Sequence, residues 1–254
     1  MKKLLSIICV LLVILVGMFI YKKNINQKNI TASEVQKIEN YISKIYMWRE
    51  VTGDALPKFD NINDVSDLWT WEVVKKNLEN YELSYNEIQE KAVEIFGNSF
   101  KKKFPKEGSK YIYYDESLDK YITTGIGLDT QDDMFFIKKI NKTKKGYEVE
   151  IAEYLEDYEN SLGIEDENEI YDIYIENLDN EIIATIESDE SETKVIESVK
   201  ENIDKFSTKT IELIKNSKGE IFVESVKWNK WDGLKMFHLF VKICKKIEGT
   251  IKWS

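Results

Sequence analysis

The hydrophobic period of this chain changes near Ser109 from about 3.6 residues to 2, which predicts helices first and mainly strands after. Before that point the helix signals are explicit. Thr31-Ala32-Ser33-Glu34 is a capping box, and Ile30 can staple to Val35 across it. Val35, Ile38, Tyr41, Ile42, Ile45 and Trp48 then follow at helical spacing, and Gly53 ends the element. A second helix is expected over 66–80, with Leu68, Trp71, Val74 and Leu78 on one face. The third begins at the capping box Ser84-Tyr85-Asn86-Glu87, with Leu83 facing Ile88, and must stop before Pro105. After Ser109, strands are expected over 110–114, 120–125, 134–141 and 146–155. Tyr147, Val149 and Ile151 alternate there with Glu148 and Glu150, one buried face against one wet face. Residues 169–176 and 181–187 form a hairpin about Asp179-Asn180. An acidic helix follows, with Ile196, Val199, Ile203 and Phe206 on one face. Residues 208–215 and 220–228 close the sheet through Asn216-Ser217-Lys218-Gly219. No Pro- or Ser-rich linker divides residues 31–228, so the economical expectation is one α+β domain: two or three helices packed on a curved antiparallel sheet.

Residues 4–21 stand apart from this domain. They are apolar except for Ser6 and Gly17, with lysines at 2, 3, 22 and 23, and as a helix they span roughly the thickness of a hydrocarbon core, about 27 Å. Phe19-Ile20-Tyr21-Lys22-Lys23 offers no small-residue cleavage site, and Cys9 lies inside the run rather than at its far end. The expectation is an uncleaved single-pass anchor over residues 1–30 including its linker, with the N-terminus cytoplasmic and the domain extracytoplasmic.

Charge narrows the partners. The chain carries a net −10, and because residues 1–28 hold five lysines and no acid, residues 29–254 carry −15. A domain that acidic is not expected to bind nucleic acid over its surface. The acid is concentrated in residues 148–204, with 21 Asp/Glu against Lys194 and Lys200; residues 205–254 reverse this, with 11 lysines against five acids. Lysine outnumbers arginine 35 to one (Arg49), which with abundant Ile and Asn suits an AT-rich bacterial genome.

In outline, the helices followed by a long antiparallel sheet over 31–228 resemble the cystatin-like cone of the nuclear transport factor two-like superfamily. The closing hairpin, Thr210-Ile211-Glu212-Leu213 through Gly219 to Ile221-Phe222-Val223-Glu224-Ser225-Val226-Lys227-Trp228, is similar to the final strands of its extracytoplasmic members. The chain departs from that pattern by an acidic insertion about fifty residues long in its second half and by a C-terminal extension, 229–254. The resemblance implies a cone with an apolar pocket and no particular activity.

Residue types that carry chemistry are scarce. His238 is the only histidine, and Cys244 does not share its helical face, so neither a dyad nor a zinc site is expected from them. Gly125-Ile126-Gly127 lacks the third glycine of a nucleotide loop and is followed by Asp129, Asp132 and Asp133. The acidic stretches 165–169 and 187–192 lack the spacing of a calcium loop. Trp69, Trp71, Tyr81 and Tyr85 suit a core better than a carbohydrate groove. Leu234, Phe237, Val241 and Cys244 mark a basic, apolar C-terminal helix over 233–248, which would cover the sheet, lie on the membrane or dock on a partner. No catalytic, metal-binding or cofactor-binding residue is assigned. The functional expectation is a membrane-tethered, extracytoplasmic, non-catalytic module that binds an envelope partner or a small apolar ligand. The alternatives are an enzyme built on carboxylates and tyrosines in a cone-shaped pocket, or a structural spacer.

Overall fold

The computed structural model describes residues 30–78, 82–104, 112–123, 131–158, 172–187 and 192–229. The apolar run 4–21, the loop 125–127 and the segment carrying His238 and Cys244 lie outside the described residues. Among the described residues, no helix is long and apolar enough to cross a membrane.

The first helix, α1 (Ala32–Ile45), is capped by the expected box: Thr31 accepts from Glu34 N–H, and Glu34 accepts from Thr31 N–H. It buries Ile38, Tyr41, Ile42 and Ile45. Its end differs from the expectation of a helix running to Gly53. The chain extends at Tyr46 (φ −84, ψ 121), Met47 N–H bonds to Ala55 O, and a separate short helix α2 (Arg49–Thr52) ends at left-handed Gly53. Tertiary contacts accompany the break: Tyr46 and Met47 both join the core, and the extended backbone lets Met47 N–H reach Ala55 O and the Tyr46 hydroxyl reach Glu153.

α3 (Asp67–Lys76) is shorter than expected and is buried almost all round, at Trp69, Trp71, Val73 and Val74 and also at Thr70 and Glu72. The tryptophans are core: Trp69 packs near Phe59 and Phe96, and Trp71 lies 4.3 Å from Phe104 and 5.1 Å from Tyr121 between ring centroids. The helix α4 (Tyr85–Phe96) carries the expected capping box and stops at Gly97, before Pro105 as expected. A small sheet of β1 (Glu82–Leu83), β3 (Lys120–Thr123) and β2 (Ile112–Asp115), in that order, lies beside these helices. The expected strands 110–114 and 120–125 therefore belong to a separate sheet and not to the main one.

The main sheet has six antiparallel strands: β4 (Gln131–Lys142), β5 (Gly146–Asp157), β6 (Asp172–Glu176), β7 (Ile182–Glu187), β8 (Ser207–Lys215) and β9 (Ile221–Trp228). β5 is the organising strand. β4 pairs along its whole length on one side; on the other, β8 pairs with Gly146–Glu153 and β6 with Leu155–Asp157. Tyr147, Val149 and Ile151 face the helices, as their alternation predicts. Beyond Ile151 both faces of β5 are buried, because Ala152 and Tyr154 meet a second cluster with Ile175, Ile186, Val195, Val199 and Phe206. α5 (Glu192–Glu201) covers that face. The described part of the acidic stretch thus supplies β6, β7 and most of β5 to the sheet itself, with α5 on its outer face. Within α5 the buried positions are Val195 and Val199, one residue off the expected stripe at Ile196.

Candidate functional site

β4 has no strand on its second edge among the described residues. The two other terminal strands are better protected: β9 is bridged by Phe59 to Val226, and β7 is short. β4 runs for 12 residues and carries Met134-Phe135-Phe136-Ile137 at its centre. A groove of about 1040 Å³ follows this edge, with α1 and the Tyr46–Trp48 turn on one wall and Ile173 and α5 on the other. Phe135 packs on Tyr46, ring centroids 5.0 Å apart, on the helix side, and Phe136 packs on the outer cluster. Val35 (37% exposed), Trp48 (44%) and Met134 (36%) all line it, three of the seven large hydrophobic side chains exposed among the described residues. Such clustering marks an interaction surface more than scattered apolar exposure does. A second groove of similar volume, between α1, α4 and the β8–β9 turn, is lined mainly by polar side chains such as Lys37, Asn40, Glu90 and Lys218.

Beneath one end of the β4 groove lies a buried charge cluster. Lys209 is 0% exposed, and its ammonium donates to Asp54 Oδ1 at 2.5 Å, Leu56 O at 2.8 Å and Glu153 Oε1 at 3.0 Å. It also lies 4.5 Å from the Trp228 ring centre, a cation–π contact. The Tyr46 hydroxyl sits 3.2 Å from Glu153 Oε1 and 3.0 Å from Met134 O. Next to it, Asp133 accepts from Arg49 N–H at 2.6 Å, while the Arg49 guanidinium donates to Leu178 O. Two cations therefore face three carboxylates. Burial raises Glu153 to about 7, against the opposing pull of Lys209, and burial likewise raises Asp133 against Arg49. One proton on Glu153 would neutralise the cluster. Glu153 Oε2 and Asp133 Oδ1 are buried without a hydrogen-bond partner, which fits carboxyls that resist ionisation.

The cluster has limited chemical reach. Glu153 is 1% exposed and does not reach the groove; of the cluster, only Tyr46 and Asp133 border it. No group of three or more His, Cys, Asp or Glu among the described residues is placed to hold a metal. Of the aromatics considered from sequence, Trp69 and Trp71 are fully buried, Tyr85 packs on the core, and Tyr81 lies outside the described residues. The acidic stretch 165–169 also lies outside them.

Sequence reasoning did not single out Arg49, Asp133, Glu153 or Lys209. A signal existed for two of them. Glu153 continues the inward series Tyr147, Val149, Ile151, and Lys209 precedes the inward pair Ile211 and Leu213, so each is a charge at a core parity. Comparison with family models, curated proteins and solved structures gives no match.

Proposed function

We propose that the chain is a membrane-tethered, extracytoplasmic, non-catalytic module that holds a polypeptide partner of the cell envelope along the free edge of β4. The observation that carries this reading is the 12-residue edge lying at the floor of an apolar groove. An unpaired edge offers backbone donors and acceptors to an added strand, and the flanking apolar walls supply the rest of the affinity. A small apolar ligand would use the walls and leave those backbone groups unpaired, so a polypeptide fits better. The tether rests on the apolar run 4–21 and its lysine flanks. The order of helices and antiparallel strands is in keeping with the nuclear transport factor two-like cone, a scaffold whose members include binders.

The test places a photo-crosslinking amino acid at Met134 in intact cells, with Leu118, an exposed residue of the β2–β3 turn, as the control position. A discrete adduct at 134 and none at 118 is expected; no adduct at either position overturns the reading. Protease added to intact cells should remove the domain, and full protection that ends only on lysis would reverse the topology.

A further inference from the structure

The β4 edge reads Asp132-Asp133-Met134-Phe135-Phe136-Ile137-Lys138-Lys139, acid at one end, apolar in the middle and basic at the other. Reversing the direction of such a strand lays its acids on the bases of the original. An antiparallel copy is thus its own electrostatic complement, as a two-fold interface requires.

The pairing register sharpens this. Asp132 lies opposite Glu156 and Lys139 opposite Glu150, with the register shift between Ile137 and Lys139 taken up at Lys138. Glu150 and Glu156 share the parity of Ala152 and Tyr154 on β5, so Asp132 and Lys139 sit on the same, outer face of the sheet. Their chain neighbours are already engaged: Asp133 with Arg49 on the inner face, and Lys138 with Glu150 on the outer face at 2.9 Å. Asp132 and Lys139 have no ion pair among the described residues, and Asp132 is exposed. Consider a two-fold axis normal to the sheet at Phe135, which places Phe135 opposite its own mate. Three positions away, Asp132 then meets the bulge of the other strand, where Lys138 and Lys139 both reach the outer face and Lys139 is the one not already paired with Glu150. Between these two ion pairs, Met134, Phe135 and Phe136 of each copy meet their counterparts, and the exposed Met134 is removed from water.

We propose that the strand added to β4 is β4 of a second copy of this chain, joined antiparallel about Phe135 with Asp132 of each copy paired to Lys139 of the other. This rests on the reading of the groove as a polypeptide-binding surface and names its occupant. It would join two six-stranded sheets through their long edges.

The test is the oligomeric state of the full chain in neutral detergent, measured by sedimentation velocity at micromolar protein. The wild type should sediment as a dimer. Asp132→Lys alone, or Lys139→Asp alone, sets like charges across the seam twice and should weaken dimerisation by about tenfold. The double variant D132K/K139D restores both pairs and should return the dissociation constant to near the wild-type value. That rescue separates this seam from association through the apolar N-terminal run, which the substitutions do not touch. A wild type that stays monomeric, or single reversals that leave the dimer unaltered, overturns the proposal. A monomer that still forms a discrete adduct from position 134 to a different protein overturns the second copy alone; a monomer with no adduct overturns the groove reading too.

Discussion

Two glutamates carry the largest carboxylate shifts of the described residues, and they act in opposite directions. Glu153 is raised to about 7, mainly by burial. Between the ordinary carboxylate value of 4.5 and about 7, the native state holds a proton that the unfolded chain has released. Stability must therefore fall as pH rises through this window, by on the order of 3 kcal/mol. Glu34 is lowered to about 2, first by the Thr31 N–H and then by Lys142 and Tyr147. Its stabilisation is present above 4.5 and is lost as pH falls toward 2. Urea unfolding at a series of pH values should thus show a maximum near pH 5. Glu153→Gln should flatten the fall between pH 5 and 8 while leaving the acid limb in place. The opposite slope above pH 5 in the wild type would remove Glu153 as its source.

At the scale of elements, two devices fix where helices begin and end. Ser84 caps α4 and Glu87 returns the bond to Ser84 N–H, so Ser84→Ala should cost about 1 kcal/mol in chemical denaturation. Gly97 ends the same helix at φ +83, and a Cβ placed there would lie 2.8 Å from the Phe222 ring. Gly97→Ala therefore meets backbone strain and a buried clash together, and should lower stability by about 2 kcal/mol or more. An unchanged denaturation midpoint for Gly97→Ala would mean that β9 does not press on α4 as closely as the geometry requires. The break in α1 at Tyr46 belongs to this scale too. It delivers Tyr46 to Glu153 and Met134, and so couples the groove wall to the charge cluster.

Over the whole molecule, the two hydrophobic clusters are unequal. Among the described residues, 33 buried residues form the cluster between the helices and the sheet, against seven on the outer face. The smaller layer of β6, β7 and α5 should therefore open at lower free energy than the rest. Native-state hydrogen exchange should show α5 amides exchanging before those of β8 and β9. Val199→Ala, at a fully buried α5 position, should deepen that difference and leave β8 protection unaffected; joint loss of protection would make the two layers one cooperative unit.

The elements of this fold were legible wherever a local rule governs. Capping boxes at Thr31 and Ser84, the period-two stretch of β5 and the Asn216–Gly219 turn depend on a few adjacent residues, and each lies where its pattern predicts. The α+β order followed from the change of period near Ser109 and its return to helical spacing before β8. What depends on contacts distant in sequence was not legible. The extended Tyr46, the all-round burial of α3, and the sealing of Lys209 against Asp54 and Glu153 follow from partners up to 155 residues away. The same is true of the candidate site. The acid–apolar–basic order of residues 132–139 is written in the chain, but only the placing of β5 between β4 and β8 leaves that strand at an edge. Local patterns decide what each segment becomes; which backbone groups stay unpaired, and which charges lose their water, is decided when the layers close on one another.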